Sequence, residues 1–338
     1  MKVLVTGGAG FVGSHTVVEL VAAGHDVHVV ENFCNSERWM VERIERISGQ
    51  SLSLDELDIR DRPALLAAAQ RFQPDAVIHF AALKSVSEST QVPAAYYDVN
   101  VGGTATLLEV MQQVGCRHLV FSSSATVYGQ PESCPVAETA PVGPGNPYGS
   151  TKLVGEWLIR DCVAAPGASL AAAILRYFNP VGAHPSGLIG ELPRGVPNNL
   201  APYITQTAAG QRDYIRVFGN DYATPDGTGV RDYIHVVDLA KAHVAALDAL
   251  AAGDSRELTL NLGTGRGYSV LELIEAFSVA VGRPIPYQLQ GRRAGDIGEC
   301  WADPSLANDI LGWRAEKSLQ DICEDAWRWQ QTISAQAG

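Results

Sequence analysis

The sequence predicts an α/β protein: a doubly wound parallel sheet with helices on both faces, joined to a smaller mixed α/β domain. Three observations carry this. Strand-like and helix-like segments alternate through the first half of the chain, the pattern of a parallel sheet with helical crossovers. The first strand runs straight into a glycine-rich turn, Gly7-Gly8-Ala9-Gly10-Phe11-Val12-Gly13. After Asn179 the texture changes, and residues 180–230 are rich in Pro, Gly, Asn and Asp with little regular pattern. A stretch of that kind in a compact chain is usually functional, here part of a substrate-covering domain.

Val3-Leu4-Val5-Thr6 is a short apolar run bounded by glycine and reads as a buried strand. Ser14 to Ala23 reads as the next helix, with Gly24 as its stop. Further strands read at 26–31, near 51–57, and at 76–80, 118–122 and 170–176. Helical patterns between them include Ala64 to Arg71 and Pro93 to Val114, and Pro147-Tyr148 opens another. The handedness rule for crossovers leaves few topologies. Asp232 to Val237 and Thr259 to Leu262 look like strands around a helical Asp238 to Ala252. Gly263-Thr264-Gly265-Arg266-Gly267 reads as a structural turn before Ser269, the N-cap of a helix from Val270 to Val281. His235 reads as a core histidine, and Trp327 and Trp329 as packing residues of a terminal amphipathic helix.

Composition narrows the function classes. The 338 residues are 46% hydrophobic and 18% charged, as in a globular chain with a full core. No apolar run approaches the roughly 20 residues of a membrane span. A strand beginning at Lys2-Val3 leaves no room for a signal peptide. Cysteines 34, 116, 134, 162, 300 and 323 form no C-x-x-C pair, so no metal site is expected and reduced thiols in a cytoplasmic protein are. A net charge of −12 argues against a nucleic-acid partner.

Gly8, Gly10 and Gly13 spell G-x-G-x-x-G between a strand and a helix. The glycines permit a tight turn and close approach of the backbone to a pyrophosphate, and the helix N-terminus offers that anion free N–H groups. Glu31 closes the second strand, where a carboxylate accepts from ribose hydroxyls and repels a 2′-phosphate, favouring NAD over NADP. Tyr148-Gly149-Ser150-Thr151-Lys152 places a phenol and an ammonium one helical turn apart. A nearby positive charge lowers a tyrosine pKa, making it a base for an alcohol or sugar hydroxyl. Taken alone the pair reads as a solvated surface pair, and the glycine motif and the serine-ended strand reverse that reading. Phe121-Ser122-Ser123-Ser124-Ala125-Thr126 ends a strand with hydroxyls at its carboxyl end, where ligands bind in open α/β sheets.

With these stretches go Ile78–Lys84, Leu175–Pro180, Pro197–Leu200, Phe218–Tyr222 and Gly227–Asp238. In this order the chain resembles the extended short-chain dehydrogenase/reductases of Rossmann type, over nearly its whole length, and among them the nucleotide-sugar 4-epimerases. The resemblance implies that 232–263 returns to the NAD-binding domain. The division is then interleaved, with 1–179 plus 232–263 binding NAD and 180–231 plus 264–338 binding substrate. It implies reversible inversion at C4 of UDP-glucose and UDP-galactose through a 4-keto sugar, with NAD retained, and a homodimer. Tyr148, Ser124 and Lys152 would be catalytic.

Cofactor contacts implied by matching position are Gly7, Gly10, Phe11, Val12, Gly13, Glu31, Asn32, Asn35, Ser36, Asp58, Ile59, Phe80, Ala81, Ala82, Lys84, Asn100, Ser122, Tyr148, Lys152 and Tyr177. Substrate contacts implied are Lys84, Ser124, Ala125, Thr126, Tyr148, Phe178, Asn179, Asn198, Asn199, Leu200, Val217, Phe218, Arg231, Arg293, Asp296 and Cys300. Two departures stand out. Glu31 replaces a commoner aspartate and keeps its charge. Cys300 stands where some relatives carry tyrosine, leaving room for an N-acetyl group at C2 of the sugar. The nearest rival is an NDP-sugar 4,6-dehydratase, but Ala125-Thr126 stands where those relatives carry Asp-Glu. A net NAD-dependent dehydrogenase or decarboxylase and a non-catalytic NAD-sensing regulator are further rivals; the regulator reading would expect the tyrosine and lysine to be lost.

Overall fold

The apolar runs of the first half become the strands of one sheet, and the segments between them become its covering helices. The computed structural model describes residues 1–253, 255–293 and 296–336. In chain order the first half contains β1 (Lys2–Thr6), α1 (Phe11–Ala22), β2 (Asp26–Glu31), α2 (Trp39–Ser48), β3 (Ser53–Glu56), α3 (Arg62–Phe72) and β4 (Ala76–His79). It continues with α4 (Val86–Gln91), α5 (Pro93–Tyr97), α6 (Gly103–Val114), β5 (His118–Ser124), α7 (Pro147–Ala164) and β6 (Ala171–Tyr177). The remainder begins with β7 (Asn179–Val181), α8 (Leu200–Ala208), β8 (Ile215–Phe218), β9 (Val230–Arg231), β10 (Tyr233–His235) and α9 (Val236–Ala252). It ends with β11 (Glu257–Leu262), β12 (Tyr268–Ser269), α10 (Val270–Val281), β13 (Tyr287–Gln290), β14 (Glu299–Cys300), α11 (Ser305–Leu311) and α12 (Leu319–Gln336).

The central sheet has seven strands in the order β11-β6-β5-β4-β1-β2-β3, and every pairing in it is parallel. Alternate residues of a strand point to opposite faces. Val3 and Val5 therefore join one core with Val17, Leu20, Leu239 and Leu247 from α1 and α9. Leu4 joins the other with Leu65, Leu107, Met111 and Ile159 from α3, α6 and α7. Burial of each such side chain contributes about 1.5–3 kcal/mol, which is why β1 is held from both sides. The winding reverses between β1 and β4, and the crevice outside their carboxyl ends is the ligand position of such sheets. A third core, including Ile204, Phe277 and Ile322, unites α8, α10 and α12 away from the sheet.

Several elements differ from the sequence expectation. Helix α1 starts at Phe11, inside the glycine motif rather than after it. Gly13 is thus a helical residue, and a Cβ there would lie 2.2 Å from the Gly7 carbonyl oxygen. The expected helix 93–114 is interrupted by a π-helical turn over Asp98–Gly102. The expected strand 232–237 shrinks to β10, because the His235 ring accepts from the Val237 N–H and caps α9. Strand β10 pairs with β7 outside the central sheet, whereas β11 joins the sheet beside β6. The irregular stretch 180–230 holds the short elements α8 and β8, with β7 at its start. The glycine turn at 263–267 is structural, wrapped round the buried Asp232 carboxylate, which accepts from the N–H groups of Thr264, Gly265 and Ala302. Among the described residues no helix is long and apolar enough to cross a membrane.

Candidate active site

Strand β5 ends in three serines, and each hydroxyl has a different use. Ser122 bonds the Tyr177 hydroxyl at the end of β6, and its carbonyl accepts from Lys152 Nζ at 2.7 Å. Ser123 points inward and donates to Glu156 Oε1 at 2.6 Å. Ser124 caps the short 3₁₀ turn over 125–128 by accepting from the Thr126 N–H at 3.2 Å. Helix α7 starts beside this strand end because Asn146 accepts from the Gly149 N–H at 2.9 Å and Pro147 takes the first helical position. Tyr148 and Lys152 then share one helical face.

The electrostatics modify the sequence expectation. Burial raises the Tyr148 phenol above its ordinary value of 10, and the adjoining Ser124 hydroxyl only partly opposes this. Burial also lowers the Lys152 ammonium to about 8, opposed by the charge of Glu156. Lys152 Nζ lies 6.0 Å from the Tyr148 ring centre, engaged with Ser122. The expectation that Lys152 holds the Tyr148 pKa low is not met in this structure, where burial outweighs any such effect. The lysine spends its proton on a carbonyl and is itself desolvated.

At the nucleotide end, α1 has Gly10 as its N-cap, with no side-chain cap and no acidic residue in its first turn. Its first N–H groups are thus left for an anion. Gly7 has φ +71°, and a Cβ on it would meet the Ala81 backbone nitrogen at 2.7 Å. The Glu31 carboxylate is buried, accepts from the N–H groups of Ala9, Asn32 and Phe33, and has the Ser36 hydroxyl beside it. An uncapped helix end, a cradle that side chains would fill and an adjacent carboxylate together fit a dinucleotide lacking a 2′-phosphate. Asn35 is exposed in the same loop. Phe80 packs on the His243 ring with centres 4.8 Å apart, and Ala82 follows in the loop after β4.

Other expected contacts are engaged elsewhere. Asp58 does not close a strand, since β3 ends at Glu56. Its carboxylate is held by the Arg60 guanidinium and Asn32, which lower it to about 2. The Ile59 side chain is buried against Gly103, and Val217 belongs to the core of α8, α10 and α12. Asn100 sits in the π-helical turn, ties the Leu83 backbone to Thr151, and so braces α7. Lys84 pairs with Glu191 at 3.0 Å, and Asn199 donates to the same carboxylate at 2.6 Å. Asn198 bridges to Ser85 and Ser87. Arg293 pairs with Asp296 at 2.9 Å and stacks over Phe218. Arg231 donates to the carbonyls of Val230 and Ile297. Cys300 lies opposite Arg231 in β14 and is buried with Phe178 and Leu153. Leu200 starts α8, Asn179 starts β7, and Ala125 and Thr126 lie in the turn after Ser124.

Sequence reasoning missed Glu191, Glu156 and Arg176. Glu156 Oε2 accepts from Arg176 at 2.6 Å, and both side chains are at most 4% exposed. Glu156 is one turn past Lys152 on α7, so its periodicity was available, but its partner lies 20 residues away.

A glycine cradle at a sheet switch point, with serine, tyrosine and lysine at the neighbouring strand end, defines a member of the extended short-chain dehydrogenase/reductases. A family model described as GDP-mannose 4,6 dehydratase matches residues 4–326. A UDP-glucose 4-epimerase of Bacillus subtilis is 51% identical over 330 residues, 98% of this chain and 97% of its own. The structure of a Stenotrophomonas maltophila UDP-glucose-4-epimerase with bound NAD and formylated UDP-arabinopyranose is 56% identical, with TM-score 0.97 and 99% of both chains covered. That of a Bifidobacterium longum UDP-glucose 4-epimerase with NAD+ and UDP is 49% identical, with TM-score 0.94 and 99% of both covered. The chain belongs to the UDP-glucose 4-epimerase family.

Proposed function

We propose that this protein interconverts UDP-glucose and UDP-galactose by inverting C4 of the hexose, with NAD as a retained cofactor. The observation that carries the reading is the meeting of Ser124, Tyr148 and Lys152 at the carboxyl end of β5, in a chain whose full-length relatives are epimerases. NAD, when bound, would supply a cationic nicotinamide ring whose electrophilic carbon can accept a hydride reversibly. Gly7, Gly10, Phe11, Val12 and Gly13 would hold its pyrophosphate, and Glu31 its adenosine ribose. Lys152, which here donates to the Ser122 carbonyl, would bind the nicotinamide ribose.

Tyr148 acts on the proton. Burial raises its pKa and the Ser124 hydroxyl partly opposes this; the positive charge that NAD would bring to the crevice would lower it further. The phenolate takes the proton of the sugar 4-hydroxyl while Ser124 donates to the same oxygen and fixes its place. The 4-keto sugar turns its other face, and Tyr148 returns the proton to the oxygen of the inverted centre. Arg231 and Arg293 hold the diphosphate through paired N–H groups. Arg293 and Lys84 must first leave Asp296 and Glu191.

Cys300 leaves space for an N-acetyl group, so the N-acetylated UDP-hexosamines are second substrates in this reading. An unchanged ratio of the two activities in Cys300→Tyr would refute that extension. The domain division is interleaved, with 1–179 and 232–263 serving NAD and 180–231 and 264–338 serving the sugar. A homodimer in the cytoplasm completes the proposal. The dehydratase reading is set aside because Ala125 and Thr126 put no carboxylate beside Ser124. The deciding test is a product assay of purified protein on UDP-galactose with no NAD added. UDP-glucose should form without net NADH, and accumulating NADH or a 6-deoxy product would exclude epimerisation.

A further inference from the structure

Residue Val136, in the loop between β5 and α7, makes a parallel bridge to Ala302 just after β14. The Val136 N–H donates to the Trp301 carbonyl at 2.8 Å, and the Asp303 N–H donates to the Val136 carbonyl at 2.8 Å. Two residues back on one chain is Cys134, and two residues back on the other is Cys300. This bridge is a single one that does not extend back to Cys134, so the nearness of the two cysteines is read from their packing. Val136, Cys300 and Ala302 indeed belong to one buried cluster, against which Cys134 packs. The Trp301 N–H also faces the Cys134 sulfur, so that side chain lies over the strand carrying Cys300. Beyond the effect of burial, the Cys134 thiol is near enough for its charge to push the Cys300 thiol up, so the two sulfurs occupy one neighbourhood.

We propose that Cys134 and Cys300 are a reversible dithiol, which a small-molecule disulfide converts to an intramolecular disulfide at the edge of the sugar site. With oxidised glutathione the half-buried Cys134 reacts first. Its thiolate attacks one glutathione sulfur, the glutathione S–S bond breaks, and one glutathione thiolate leaves. The Cys300 thiolate then attacks the Cys134 sulfur of the mixed disulfide and releases the second glutathione. Two cysteine thiols lose two electrons and two protons, and one oxidised glutathione becomes two reduced molecules. Both thiols are free in the structure described. Burial raises both, Cys300 to about 12, so the reaction is slow at neutral pH and quickens as pH rises. The bond ties the loop that leads to Tyr148 to the strand that pairs with Arg231. This consequence for turnover rests on the activity proposed above, whereas formation of the bond does not.

The test treats the NAD-containing protein with oxidised glutathione at pH 8.5, then maps peptides without reduction and assays turnover before and after dithiothreitol. The expected result is one joined peptide pair containing Cys134 and Cys300, with activity down about tenfold or more and restored by reduction. Exposed Cys34 should form a mixed disulfide in the same sample and serves as the control for oxidant strength. Cys134→Ala, or Cys134→Ser if the first does not fold, should stay active under oxidant. No joined pair in a sample with modified Cys34, or a different pairing, would overturn the proposal. Equal inactivation of the Cys134 variant would overturn the link to turnover. Should the protein prove inactive on UDP-hexoses, the peptide map still decides whether the bond forms.

Discussion

The two sides of the crevice are prepared in different ways. On the sheet side, groups are fixed by backbone geometry: Ser124 ends a strand, Glu31 ends another, and Gly13 is locked into α1 by its approach to Gly7. On the side formed by 180–300, charged groups are held in ion pairs, as Arg293 with Asp296 and Glu191 with Lys84, which reaches over from the loop after β4. The first arrangement rests on contacts within the protein's own backbone and so needs no ligand to form. The second must exchange partners for one, which suits a site that takes up and releases a nucleotide sugar while keeping its cofactor.

The sharpest test of the rigid side is Tyr148→Phe. Loss of proton transfer should lower kcat by about 10³-fold, within the range of general acid–base catalysis. Bound NAD and thermal stability should stay near parental values, since the ring remains. A variant as fast as the parent would remove the chemical basis of the comparison. Behind the same helix, Glu156→Gln breaks a buried pair that Ser123 and Arg176 share. Leaving Arg176 uncompensated should cost about 3–5 kcal/mol of stability, read from denaturant midpoints. A loss below 1 kcal/mol would mean that the network does not brace the site.

Legibility followed the same division. The parallel sheet, the glycine cradle and the Tyr–Lys helix could be read because each is a local pattern with a fixed period. Element ends were less visible. Nothing in Phe11-Val12-Gly13 announces that the helix has begun, because the reason is a tertiary approach to Gly7. The π-helical turn at 98–102 was hidden for a similar reason, since its Asn100 answers to Leu83 and Thr151. Candidate contacts on the far side could be named only through resemblance. Some of their present partners, such as Glu191 for Lys84, lie more than a hundred residues away in sequence. The direction of the Tyr148 shift was misread because spacing reveals a neighbouring charge but not how dry its surroundings are.

Buried histidines give the rigid side a pH signature. His15, His79 and His243 are fully buried, and burial lowers them from 6.5 to about 3, 3 and 4. A histidine lowered in the fold stays neutral there while the unfolded chain takes up a proton below pH 6.5. Stability is therefore full above that pH and is lost as pH falls toward 4. At pH 5 each should have removed roughly 2 kcal/mol. Denaturant midpoints across pH 7 to 5 should show this slope, and His243→Phe should reduce it by about a third if each histidine contributes equally. A flat profile would mean that these rings are hydrated in solution.

The mildest perturbation addresses the exchangeable side. Arg293 is more than half exposed, and its pairing with Asp296 is a surface ion pair worth no more than about 1 kcal/mol. Arg293→Gln should therefore leave the unfolding midpoint almost unchanged. If the guanidinium holds the substrate diphosphate equally in the ground and transition states, KM for UDP-galactose should rise about tenfold with kcat within about twofold. The parental KM should also climb with salt, and the variant's less steeply, because one screened charge is gone. An equal fall in kcat would instead place Arg293 among the groups that act on the reacting sugar, and the two sides of the crevice would no longer differ in kind.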